Sequence, residues 1–163
     1  MKYTFILSIG LLITACINSH KKEDYYEAGH AKDELKDYKG AIADYTKAIE
    51  LNPKNAIAFY NRALTKYNSK DYSGAIADYT KAIEINSDNA YAFYGRGLAK
   101  DGLRNYKGAV ADYTRAIEIN PKYADAFYYR GLAKFILKDD RGAIADYTKV
   151  IEIDPKYTEA YNL

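Results

Sequence analysis

Along most of the chain the apolar residues fall on one face of a helix. Ala41, Ile42, Tyr45, Ala48 and Ile49 follow one another at steps of one, three, three and one, which is helical spacing and not the alternation of a strand. The string that carries them recurs as GAIADYTKAIELNP from Gly40, GAIADYTKAIEINS from Gly74, GAVADYTRAIEINP from Gly108 and GAIADYTKVIEIDP from Gly142, always 34 residues apart. A fixed period of this length predicts stacked helical units, each unable to bury its apolar face alone. Asp37, Asp71, Asn105 and Asp139 precede these helices and suit an N-cap or first-turn role. Pro53, Pro121 and Pro155 stop them, because proline has no N–H to donate and restricts the residue before it. Ser87 stands in for proline in the second unit, so that junction is expected to be less sharply defined.

A second helical pattern lies between these strings. It reads AFYNRALTKY from Ala58, AFYGRGLAKD from Ala92 and AFYYRGLAKF from Ala126, with a divergent DYYEAGHAKD from Asp24. Phe59, Ala63 and Lys66 share one face. Small residues at Gly29, Ala63, Gly97 and Gly131 permit close helix approach, and close packing offsets the roughly 1 kcal/mol that each glycine costs relative to alanine inside a helix.

Residues 22–157 resemble tetratricopeptide repeats. Phe59, Ala63, Ala75, Tyr79 and Ala82, with Ser87 in the proline position, stand where that family places an aromatic, small residues, a second aromatic and proline. The resemblance implies an all-α, right-handed superhelical solenoid of four helix-turn-helix repeats at 22–55, 56–89, 90–123 and 124–157. Two departures recur: Arg62, Arg96 and Arg130 replace a customary leucine, and Lys66, Lys100 and Lys134 a customary tyrosine. Repeated in register with Asp78, Asp112 and Asp146, the arginines predict structural ion pairs, within a unit or across to the preceding one through Asp44. The spacing of Asp44 and Lys47 fits a solvated face with modest i,i+3 support.

The same resemblance puts the first helix of each unit on the concave side. Tyr26, Tyr60, Tyr94 and Tyr128 would form a ladder there, followed by Leu64, Leu98 and Leu132 and then by Tyr67 and Phe135. Together with Asn61 they are the candidate partner-binding groove, since tyrosine offers apolar area and a hydroxyl with few rotamers to freeze. Some co-chaperone members of the family grip a terminal carboxylate with lysine, arginine and asparagine. Here those places hold Tyr26, His30, Asn61, Tyr91 and Gly95, so an apolar or mixed partner is expected instead.

Composition narrows the classes further. The chain is 48% apolar and 28% charged with a net charge of +2, which excludes a disordered polyelectrolyte, and its charges alternate in sign, so no nucleic acid is expected as a partner. A single cysteine excludes an internal disulfide. His20 and His30 offer no second nearby histidine, Gly95-Arg96-Gly97 lacks the third glycine of a dinucleotide loop, and no nucleophile and base follow in a usable order. No catalytic residue, cofactor or metal is expected, and the protein reads as a non-enzyme.

The first residues read as an address. After Lys2, Phe5 to Ile13 make a nearly all-apolar run, too short for the roughly twenty residues a membrane-spanning helix needs. Ile13-Thr14-Ala15-Cys16 resembles the lipobox of bacterial lipoproteins, which implies a signal peptide at 1–15, removal of the leader, acylation of Cys16 with palmitate or a similar chain, and a tether at 16–21. Several acyl chains on Cys16 would anchor the protein stably. The expected location is the bacterial cell envelope. Ile17 in place of aspartate favours the outer membrane, or the outer face of the cytoplasmic membrane in a host without one. At the other end, residues 158–163 begin a truncated C-terminal cap, which would leave Ile144, Tyr147 and Ile151 incompletely covered and able to dock an envelope protein or a second copy of the chain.

Overall fold

The computed structural model describes residues 21–157. Residues 21–34 form α1, and seven further helices follow: α2 (Tyr38–Leu51), α3 (Ala56–Asn68), α4 (Tyr72–Ile85), α5 (Ala90–Gly102), α6 (Tyr106–Ile119), α7 (Ala124–Ile136) and α8 (Asp140–Ile153). No strand occurs among the described residues. Residues 1–20, with Cys16 and His20, and the C-terminal segment 158–163 lie outside them.

Three local devices, repeated unit by unit, set the helix ends. Asp37, Asp71, Asn105 and Asp139 are the N-caps of α2, α4, α6 and α8. Each side chain accepts a hydrogen bond from the glycine N–H three residues on, at 3.0, 2.9, 3.1 and 3.0 Å. At Gly40 a Cβ would lie 2.2 Å from Asp37 Oδ2, so the folded-back cap explains why a glycine recurs inside a helix. The turn from first to second helix runs through Lys36, Lys70, Arg104 and Lys138 with φ of 61°, 67°, 59° and 67°. There the following N–H closes back on the first helix, as from Asp71 to the Lys66 carbonyl at 2.8 Å, in a left-handed C-terminal cap.

The third device ends the second helices and corrects the expectation placed on Ser87. Asn52, Asn86, Asn120 and Asp154 adopt extended backbone, and each side-chain oxygen accepts the N–H two residues on, from Lys54, Asp88, Lys122 and Lys156. This Asx turn terminates the helix before the proline position is reached. The Ser87 junction therefore has the same geometry as the other three.

Each helix packs on its neighbours in sequence, and the first helices of successive units also touch, α3 with α5 and α5 with α7, more than the second helices do. The first helices thus line the inside of the curve. The core alternates alanine with tyrosine: Ala41, Ala58, Ala63, Ala75, Ala92, Ala99, Ala109, Ala126 and Ala133 are fully buried, as in effect are Tyr45, Tyr79 and Tyr113. The rings of Tyr45, Tyr113 and Tyr147 lie on the backbone of the first helix of their own unit. A Cβ at Gly29, Gly97 or Gly131 would come within 2.9, 2.5 or 2.7 Å of Tyr45, Tyr113 or Tyr147. The sequence placed Tyr147 on the open outer face of α8. It is instead buried at 8% exposure against Gly131, and Ile144, at 65%, is the residue left open, with Ile151 half-buried.

The left-handed lysines give a direct test of the turn. A non-glycine residue in that conformation costs about 1 kcal/mol or more, and glycine returns part of this in unfolded-state entropy. Lys70→Gly is expected to raise stability in urea unfolding by roughly 0.5–1 kcal/mol. A loss of stability would mean that the Lys70 side chain holds the turn.

Candidate functional site on the concave face

The inner face is shaped by an ion-pair network behind it. Arg62 donates from Nε and Nη2 to the two oxygens of Asp78 at 2.8 and 2.7 Å, and from Nη1 to Thr46 Oγ of the preceding unit at 2.9 Å. Lys66 adds a third cationic contact to the same carboxylate at 2.7 Å. Arg96 and Lys100 repeat this on Asp112 with Thr80, and Arg130 and Lys134 on Asp146 with Thr114. The pairs lie within a unit, and the threonine ties that unit to the one before. The bidentate fork is the geometry in which arginine binds a carboxylate best. Each guanidinium also lies over a phenylalanine of its own helix, Phe59, Phe93 or Phe127, at 5.6, 5.4 and 5.3 Å.

In the first unit Ala28 takes the arginine position, and Lys32 alone meets Asp44. Asp44 is therefore buried and not on a solvated face with Lys47, which lies over the Tyr25 ring at 4.9 Å. The i,i+3 support predicted for that pair is made one helical turn later in other units, by Lys81 with Glu84, Arg115 with Glu118 and Lys149 with Glu152.

In front of this network stand the candidate groove residues. Tyr26, Tyr60, Tyr94 and Tyr128 are half-buried, and each packs on the buried tyrosine of its own second helix, Tyr45, Tyr79, Tyr113 or Tyr147, with centroids 5.8, 5.7, 5.9 and 6.0 Å apart. They form a ladder anchored in the core along one edge and partly exposed along the other. Leu64, Leu98 and Leu132 are half-buried, and so is Tyr67, which packs on Tyr72 at 5.5 Å. Phe135, at 50% exposure, is the most open of the set. Asn61 does not face the groove as a free amide. Its Nδ2 donates to Tyr26 OH at 2.7 Å and so ties units one and two together.

Sequence reasoning missed how the position of Asn61 varies. Glu27, Asn61, Gly95 and Tyr129 are equivalent, and the residue there changes from unit to unit. Gly95 leaves room for Tyr79, whose ring would stand 2.5 Å from a Cβ there. Tyr129 instead packs on Tyr94 at 5.9 Å, on Tyr113 at 6.3 Å and on Tyr128 at 5.3 Å. With Tyr91, Tyr123 and Tyr157 these rings make one connected aromatic cluster across the last two units, closed by a bond from Tyr157 OH to Asp125 at 2.8 Å.

Acidic groups were missed too. Asp33 and Asp101 hold the position of Tyr67 and Phe135, and each has one buried carboxylate oxygen without a hydrogen-bond partner. Burial raises the Asp101 carboxyl above the ordinary carboxylate range. Comparing the four units column by column would have shown this alternation of acid and aromatic. His30 is exposed, 3.7 Å from Glu34, and no cluster of three potential metal ligands exists among the described residues. The arrangement is suited to binding by area, ring faces and charge.

These features place the molecule among helical-repeat solenoids whose inner surface is assembled from equivalent side chains of successive units. The chain belongs to the tetratricopeptide repeat family: profiles described as TPR repeat match residues 29–70, 65–101 and 105–137, and one described as tetratricopeptide repeat matches 124–157. It is an all-α, right-handed superhelix of such repeats. Among solved structures it is similar to MamA protein, with 29% identity and a TM-score of 0.84 over 88% of this chain and 78% of that one. It is also similar to the Arabidopsis OM64 TPR domain, at 32% identity and TM-score 0.70 over 72% and 98% of the two chains. The first TPR of Spaghetti (RPAP3), solved bound to the HSP90 peptide SRMEEVD, is 28% identical with TM-score 0.71 over 74% and 95%. No curated protein matches the chain.

Two predictions test the site's supports. Removing Asp112 would leave the Arg96 and Lys100 cations, with side chains 16% and 21% exposed, unpaired. Asp112→Ala is expected to cost about 3 kcal/mol in chemical unfolding. A cost no larger than that of a surface substitution would show that the network is dispensable. The tyrosines set an alkaline limit. Burial raises Tyr45, Tyr79, Tyr94, Tyr113 and Tyr123 above the ordinary phenol value of about 10. A folded pKa above the unfolded one gives stability that is complete below the unfolded value and is lost as pH rises. Phenolate absorbance and loss of helix should therefore rise together above about pH 10. Full ionisation with the helices intact would contradict the burial.

Proposed function

We propose that this protein is a non-catalytic scaffold, held by lipid in the bacterial cell envelope, that binds a peptide or an extended segment of a partner protein along its concave groove. The observation that carries the reading is the tyrosine ladder: four rings at equivalent positions, each packed on a buried tyrosine of its own second helix and each left partly exposed. Preorganised aromatic faces lose little side-chain entropy when a partner covers them. Peptide binding by a solved tetratricopeptide domain of similar fold supports the same use of the surface.

The lipid anchor rests on Cys16 and the apolar run before it. With the leader removed, the tether brings the first repeat within about 20 Å of the bilayer, since each extended residue spans about 3.5 Å. Partners would then be envelope proteins or their exposed segments. A second reading is end-to-end association of copies, favoured by Ile144, which is 65% exposed where its equivalents Ile42, Ile76 and Val110 are half-buried.

A photoreactive residue at Tyr60 or Tyr94 should crosslink to a partner in intact cells, whereas one at Lys81, on the exposed face of α4, should not. Crosslinks equally frequent at Lys81 would remove the groove from the account. Palmitate labelling tests the anchor: Cys16→Ser should lose label and leave the membrane fraction, and an unlabelled wild type would refute it. Light scattering showing a strict monomer at high concentration would dispose of end-to-end association.

A further inference from the structure

The charges of the first helices are sorted by side. Every lysine and arginine of α3, α5 and α7 is held against a second-helix aspartate: Arg62 and Lys66 on Asp78, Arg96 and Lys100 on Asp112, Arg130 and Lys134 on Asp146. In α1 Lys32 is likewise held by Asp44, and only Lys21 and Lys22, in its first turn, are outside this pattern. The carboxylates of the same helices lie among the tyrosines. Glu27, Asp33 and Glu34 act on the Tyr45 hydroxyl, Asp101 on those of Tyr67 and Tyr113, and Asp125 on that of Tyr94. The groove therefore carries negative charge and aromatic faces together.

At its centre stand two unpaired polar atoms, one on the half-buried Asp101 and one on the buried Tyr113. Asp101 Oδ1 has no hydrogen-bond partner, and the hydroxyl of Tyr113, whose residue is 0% exposed, has none either. A buried acceptor left without a donor is costly, and a carboxylate most of all. Tyr94 and Tyr129 pack on the Tyr113 ring with centroids 5.9 and 6.3 Å away, and Asp101 and Tyr67 act on its hydroxyl. A carboxylate walled by aromatic rings is the setting in which an ammonium or guanidinium gains both a charge-assisted hydrogen bond and a cation–π contact.

We propose that the concave groove selects a cationic peptide segment, with an arginine or lysine side chain of the partner seated on Asp101 between Tyr67, Tyr94 and Tyr129. This rests on the reading of the concave face as the binding surface and specifies its ligand. It is the reverse of a clamp for carboxylates. The acidic groups of the first unit, Asp33 with Glu27 and Glu34, extend the same preference along the groove and would take a second cation of the segment.

The test uses the full chain in a non-ionic detergent and three fluorescein-labelled peptides that alternate tyrosine with arginine, with glutamine or with glutamate. Anisotropy should show the arginine peptide binding about tenfold tighter than the glutamine peptide, as one charged hydrogen bond implies, and the glutamate peptide weakest. Asp101→Asn, nearly the same in shape, should remove most of that preference by weakening the arginine peptide and, since it neutralises an unpaired carboxylate, should not lower the melting temperature. Asp33→Asn should have a smaller effect in the same direction, and keeps the test open if the Asp101 variant is unstable. Equal binding of all three peptides, reduced by Tyr94→Ala, would overturn the charge preference and leave the groove in place. A preference for arginine untouched by both aspartate variants would also overturn it. No binding of any peptide would remove the groove itself, and the proposal with it.

Discussion

The arginine–aspartate fork between the two helices of a unit is the interaction on which the rest of the molecule depends. It joins the helices through Asp78, Asp112 and Asp146, and its spare N–H reaches a threonine of the preceding unit, so one side chain fixes both the pair and the stack. A partly buried ion pair adds little net stability over an apolar pair of the same size. What it supplies is register: a guanidinium with both ends engaged permits one relative placement of three helices. The lysine a turn later, bound to the same carboxylate, engages the remaining positive charge of α3, α5 and α7.

That placement lets the tyrosines act in two layers. Tyr79 and Tyr113 are buried on first-helix backbone where Gly95 and Gly97 leave no Cβ, and Tyr60 and Tyr94 rest on them facing inward. The core thus holds the binding rings in position, and the glycines that weaken a helix in isolation are what allow the second helix to come so close. Stability and recognition share residues here. A change at Gly97 would disturb the core through Tyr113 and the groove through Tyr94.

Much of the fold was legible in the sequence because every unit repeats its signals. The N-caps, the helical faces, the small residues and the arginine–aspartate pairs each occur several times in register, and repetition separates a structural requirement from chance. What was not legible depended on direction and on neighbours. Tyr147 and Ile144 lie on the same helix, and periodicity alone did not show which of them turns toward Gly131. Asp44 appeared solvated because its partner, Lys32, lies on another helix. The proline was credited with ending helices that Asn52, Asn86, Asn120 and Asp154 had already ended. In the groove the tyrosine ladder could be placed in advance, whereas Asp33 and Asp101 passed unnoticed because they break the repeat where it was being used as the guide.

The central claim is that the inner surface is an aromatic and acidic groove held rigid from behind. Nuclear magnetic resonance of ring-labelled tyrosines, titrated with N-acetyl-arginine amide, tests it most directly. The account predicts the largest shifts at Tyr67, Tyr94 and Tyr129 and smaller ones at Tyr45 beside Asp33, with Tyr25, beneath Lys47 on the outer side, unmoved. Shifts spread evenly over the tyrosines, or confined to Tyr25, would contradict it.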